Sequence, residues 1–64
     1  EPFDTRMIKA GDRGKTITRL APMGKVEVNH IICEAKSTGE FINENTEVEV
    51  REVLTTQLIV KPLN

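Results

Sequence analysis

The chain has 64 residues, one cysteine, one histidine and a formal net charge of −1. A chain of this length forms one small domain, and a single cysteine excludes an intrachain disulfide. One thiol and one imidazole give a zinc site at most two soft ligands, and a net charge near zero disfavours general binding of polyanions.

Residues 1–10 have mixed polarity and no clear period, so we interpret them as a lead-in or linker. The folded domain is then predicted at residues 11–64. Because the chain starts at Glu1 rather than Met, we expect it to be an excised piece of a longer protein. No apolar run approaches the roughly 20 residues that a membrane-spanning helix needs.

Apolar or small residues recur at every second position after residue 14, which is typical of half-buried antiparallel strands. The predicted strands are residues 15–20, 25–29, 31–36, 46–54 and 57–61. Glycine or proline marks the first two turns, at residues 11–14 and 21–24, and Asn29-His30 predicts a two-residue hairpin.

The second half of the chain contains a long connection and an irregular strand. Phe41 and Ile42 lie inside the connection at residues 37–46, where we expect both to plug one end of a barrel. In the fourth strand the alternation of apolar residues breaks before Val53, which predicts a β-bulge or a sharp bend. Five short strands with these joins favour an all-β fold, a small five-stranded Greek-key OB-fold barrel, with an SH3-like barrel as the alternative.

Three blocks of residues resemble the C-terminal soluble domain of NfeD-like membrane proteins. The first comprises Gly11, Gly14, Thr16, Thr18, Leu20, Pro22, Gly24, Val26 and Val28. The second comprises Ser37, Gly39, Phe41 and Ile42, and the third Val48, Val50, Val53, Leu58 and Val60. The departures are His30, Asn45 and Thr55 at positions where the family often has glycine, and Cys33 where it has an aromatic residue.

The resemblance implies an OB-fold domain that is tethered to membrane helices, with the cytoplasmic side favoured. It also implies a non-enzymatic interaction or scaffold role beside a stomatin- or flotillin-like (SPFH) membrane protein, with self-association as a further option. Longer relatives add a ClpP-like serine protease domain, so an accessory role in a membrane protease is an alternative.

The residues that carry catalysis are scarce and poorly placed. His30 is predicted at a hairpin tip and Cys33 inside the barrel, so they are not expected to meet as base and nucleophile. Ser37 lies in a Ser-x-Gly turn, where a hydroxyl commonly bonds to local backbone. The glutamates of the fourth strand read as a solvated face rather than a calcium site. We therefore predict no enzyme activity, no metal and no cofactor.

Binding of single-stranded nucleic acid is the second alternative, because many OB-folds do this. That function needs aromatic stacking residues and a basic groove, and the second and third strands contain no aromatic residue. Fold alone does not establish such a function.

Strand parity places three isoleucines away from the barrel interior. We predict that Ile17, Ile32 and Ile59 form a patch that binds a partner. Structural roles in turns or core are predicted for Gly11, Gly14, Pro22, Gly24, Gly39 and Phe41.

Overall fold

A computed structural model describes residues 8–39 and 41–63. It contains five strands, which are β1 (Arg13–Thr16), β2 (Met23–Val28), β3 (Ile31–Ser37), β4 (Glu47–Val53) and β5 (Leu58–Pro62). Within the described residues, no helix has the length and apolar character needed to cross a membrane.

The strands close into a barrel in the order β1-β2-β3-β5-β4, with β4 returning to β1. Every neighbouring pair is antiparallel except β3 and β5, which run parallel over Ala35↔Leu58 to Ser37↔Val60. A closed barrel of five strands confirms the prediction of a small all-β OB-type fold.

The first strand and the first turn differ from the prediction. Gly14 lies inside β1 rather than in a turn. The position requires glycine, because a Cβ there would lie 2.3 Å from the carbonyl oxygen of Glu27 on β2. The strand ends at Thr16 instead of residue 20, and residues 17–18 bend. The predicted turn at residues 21–24 is also wrong at its end, because β2 already begins at Met23, after a cis Ala21-Pro22 peptide bond.

Two local predictions are confirmed. Asn29 and His30 form the hairpin turn with φ angles of 54° and 66°. The register between β4 and β5 shifts between Val50 and Glu52, which is the predicted irregularity. Asn45 also takes a positive φ, of 59°.

The interior is filled by the inward-facing residues of all five strands and by three residues from outside them. The buried apolar side chains are Ile8, Leu20, Val26, Val28, Cys33, Ala35, Ile42, Val48, Val50, Leu58 and Val60. Ile8 belongs to the stretch predicted as a lead-in, yet its side chain is part of this core. Asp12 fastens the same region, because its carboxylate accepts hydrogen bonds from the Lys9 N–H at 3.1 Å and from Asn29 Nδ2 at 3.0 Å.

Candidate functional site

The three isoleucines predicted to bind a partner differ in exposure, and two of them lie level with different points along β3. Ile17 is 41% exposed and Ile32 59% exposed, whereas Ile59 is half-buried. On β3, Ile32 pairs with Glu27, and Ile59 pairs with Lys36, four residues further along the strand. Four residues of strand span about 13 Å, so a small ligand would not contact both positions. Their role in partner binding stays a prediction.

Phe41 is the clearest correction to the sequence analysis. Its side chain is 74% exposed, so the prediction that it plugs the barrel is wrong, whereas its neighbour Ile42 is 2% exposed and confirms that part. Ile42 forms an isolated bridge with Leu20: each N–H donates to the other's carbonyl oxygen, at 3.0 Å from Ile42 and 2.8 Å from Leu20. With extended backbone turned inward at Ile42, alternation directs Phe41 outward.

The connection after Phe41 is held by the end of β1. The Thr16 hydroxyl donates to the carbonyl oxygen of Asn43 at 2.7 Å and accepts from the N–H of Thr46 at 2.9 Å. The Thr16 N–H donates to the Thr46 carbonyl at 2.9 Å, and the Asn45 N–H to the Thr16 carbonyl at 2.8 Å. Four hydrogen bonds to a buried threonine therefore fix the loop that presents Phe41.

Phe41 borders an open groove of about 570 Å³ on the outer face of the barrel. Its lining residues, which define the Phe41 groove, are Pro22, Lys36, Ser37, Thr38, Gly39, Phe41, Glu52 and Ile59. Strand register places three of them in a row, since Ile59 on β5 pairs with Lys36 on one side and with Glu52 on the other. Met23 extends the apolar surface, because it is 54% exposed and pairs with Lys36 from β2.

The two charges of the Phe41 groove take no part in the ion pairs found among residues 8–39 and 41–63. Those ion pairs join Lys25 to Glu34 at 2.9 Å and Lys61 to Glu49 at 3.8 Å. Lys36 and Glu52 are both exposed and stand on opposite sides of Ile59. The groove thus has an apolar centre with a positive and a negative rim.

A second open groove, of about 550 Å³, lies across β1 and the ends of β2 and β4, and it is more polar. Its lining residues are Arg13, Gly14, Lys15, Glu27, Asn29, His30, Glu47 and Leu63. Acidic and basic side chains are mixed there, which does not make the continuous basic path that a nucleic-acid strand requires.

The residues considered for catalysis lie apart. His30 is exposed at the β2–β3 hairpin, whereas Cys33 is buried, and burial raises the pKa of its thiol. The Cys33 thiol faces the Ile31 carbonyl oxygen at 3.7 Å, within the same strand. Over the described part of the chain, no group of three or more His, Cys, Asp or Glu side chains is placed to hold a metal ion.

Sequence reasoning missed Phe41 and Met23 as surface residues. For Met23 the missed signal was strand parity. The strand β2 begins two residues earlier than predicted, and because Val26 and Val28 point inward, alternation places Met23 on the outer face. For Phe41 the signal lay in the pairing of Ile42 with Leu20, which no local pattern reveals.

An OB-type barrel with an apolar groove on its surface is typical of a binding domain. The family model described as "NfeD-like C-terminal, partner-binding domain" matches residues 8–62, so the chain belongs to this family.

The chain is also similar to a solved structure, the C-terminal domain of stomatin operon partner protein 1510-C from Pyrococcus horikoshii. The sequences are 25% identical, the match covers 100% of this chain and 98% of that one, and the TM-score is 0.82. A search of curated proteins found no match.

Proposed function

We propose that this domain is a non-enzymatic interaction module that binds a stomatin- or flotillin-like (SPFH) membrane protein. The observation that carries the proposal is Phe41, an aromatic side chain left 74% exposed immediately before a stretch of backbone that is held by hydrogen bonds to Leu20 and Thr16. An exposed aromatic residue on rigid backbone is what a binding surface uses as an anchor. The family description as partner-binding supports the same role.

The stomatin-like partner is supported by the name of the Pyrococcus horikoshii relative, which describes it as a stomatin operon partner. From the resemblance to NfeD-like proteins we also propose that the parent chain is anchored in a membrane, with this domain on the cytoplasmic side. The domain would then act as a scaffold that holds its partner near the bilayer.

Two features support a role without catalysis. His30 and Cys33 are separated by the barrel wall, one exposed and one buried. The raised pKa of Cys33 keeps its thiol protonated near neutral pH, and the thiolate is the nucleophilic form.

The proposal is tested by isothermal titration calorimetry of the domain with the soluble part of a stomatin-like protein from the same organism. We expect saturable binding with a defined stoichiometry. Absence of binding by the folded domain would overturn the proposed partner. A single-stranded oligonucleotide serves as the comparison, and strong salt-dependent binding to it would instead support the nucleic-acid alternative.

The predicted role of Ile17 and Ile32 is tested in the same titration with Ile17→Asp and Ile32→Asp. Both side chains are exposed, so these variants are expected to fold. A weakened affinity would confirm that the isoleucine belongs to the binding face, and an unchanged affinity would remove it from that face.

A further inference from the structure

We propose that the Phe41 groove is the docking site for one short segment of the partner, and that this segment has a defined charge order. A large apolar side chain of the segment packs between Phe41 and Ile59, an acidic residue lies beside Lys36, and a basic residue lies beside Glu52. This inference rests on the proposed function and deepens it by giving the site and the chemistry of the bound segment.

Several apolar side chains, exposed or half-buried, converge on one concavity. Single exposed apolar residues are ordinary on a protein surface. Here Phe41, Ile59 and Pro22 line one groove, and Met23 adjoins it through its pairing with Lys36. A groove of about 570 Å³ falls within the range of about 300–1,000 Å³ typical of pockets that enclose small ligands.

The backbone that follows Phe41 is held in place by hydrogen bonds. The bridge between Ile42 and Leu20 fixes the backbone immediately after Phe41, and Thr16 holds residues 43, 45 and 46 by hydrogen bonds. A surface that is ordered before binding loses little conformational entropy on association. Phe41 can therefore contribute more to affinity than the same side chain on a mobile loop.

Charge supplies the orientation. Lys36 and Glu52 flank Ile59 from neighbouring strands, and neither takes part in the ion pairs of the described residues. Opposite charges at the two rims favour a segment whose own charges are complementary, and they disfavour the reversed segment. The segment therefore crosses the strands with its acidic side toward β3 and its basic side toward β4.

The experiment is a ¹H–¹⁵N titration of the domain with the soluble part of the stomatin-like protein. We expect the largest shifts at Phe41, Ile59, Lys36 and Glu52. Phe41→Ala should weaken binding at least about tenfold, as expected for an aromatic anchor. The matched control is His30→Asn, which removes an exposed ring at the β2–β3 hairpin and keeps a residue that tolerates positive φ. It should bind as the wild type does.

The charge order is tested with Lys36→Glu, which is expected to lower the affinity for the partner, because the substitution places a negative charge beside the acidic residue of the bound segment. Lys15→Glu is the matched control, because it makes the same change of net charge on the outer face of β1, away from the groove. Equal effects of the two substitutions would overturn the assigned charge order, since a long-range field would then explain both.

The remaining outcomes separate this inference from the proposed function. If Phe41→Ala binds with wild-type affinity, or if the shifts are confined to the Ile32 end of β3, the groove is not the docking site. The proposed partner would still be supported. No binding by the wild type would overturn both. Groove shifts that grow with domain concentration in the absence of partner would assign the groove to a second copy of this chain, which overturns the partner segment.

Discussion

The plugged end of the barrel and the Phe41 groove share one stretch of chain, and they differ in what holds them. At the plugged end, Leu20, Ile42 and Thr16 are buried and their polar atoms are paired within the domain. In the groove, Phe41, Lys36 and Glu52 are exposed, and the two charges form no ion pair in the described residues. The comparison shows which apolar residues the fold uses and which it leaves accessible for binding.

Truncating Ile42 and Phe41 separately should show that the two adjacent residues have different roles. Ile42→Ala should lower the free energy of unfolding by about 2–5 kcal/mol, because it leaves a cavity in the core. Phe41→Ala should change it by less than about 0.5 kcal/mol, as for surface substitutions away from special features. Urea unfolding followed by circular dichroism measures both, and similar losses would contradict the separation of plug and groove.

A smaller effect is expected from the hydroxyl that holds the loop. Thr16→Val should cost about 1–3 kcal/mol, since it leaves the carbonyl of Asn43 and the N–H of Thr46 without their partner. Thr16→Ser keeps the hydroxyl and is the control, with a smaller loss expected from the missing methyl group. Hydrogen exchange of the Thr46 amide should accelerate in Thr16→Val. An unchanged exchange rate would contradict the inference that the Thr16 hydroxyl stabilises this loop.

The smallest expected effect is a pH dependence of the free energy of unfolding that arises from the buried Cys33 thiol. Burial raises the pKa of Cys33, so the folded domain keeps the thiol proton at pH values where the unfolded chain has released it. Stability from this source is complete below the unfolded-state pKa of about 8.5 and declines as the pH rises toward the folded-state pKa.

Between pH 7.5 and 9.5, the wild type should therefore lose more unfolding free energy than Cys33→Ala. Any constant packing cost of the substitution cancels when each protein is compared with itself. Parallel pH profiles of the two proteins would show that the thiol is not protected from solvent.

Alternation along the strands was enough to predict much of the core and the fold class. The apolar residues that alternate along β2, β3 and β4 include Val26, Val28, Cys33, Val48 and Val50, and all are buried. Alternation failed at the joins, because a strand end depends on contacts from other strands. At Gly14, for example, β2 approaches so closely that a Cβ would clash, so only glycine allows β1 to include this position.

The groove was beyond sequence reasoning for a related cause. Hydrophobicity marks Phe41 and Ile42 alike, and only the pairing of Ile42 with a distant residue decides which of them enters the core. The row of Lys36, Ile59 and Glu52 depends on the register of three strands, one of which carries a bulge. Ile59 was found by parity, but its neighbours across the strands were not.

The parallel ladder between β3 and β5 has a consequence for how the molecule assembles. The β2–β3 and β4–β5 pairs are hairpins between strands adjacent in sequence, whereas the ladder from Ala35↔Leu58 to Ser37↔Val60 joins residues far apart in the chain. Contacts of long sequence separation form slowly, because loop-closure entropy is lost before they stabilise the chain. The β1–β4 pairing, from Arg13↔Glu49 to Lys15↔Glu47, spans an even longer stretch of chain. We therefore expect the two hairpins to form early, and the β3–β5 and β1–β4 ladders to set the rate at which the barrel closes.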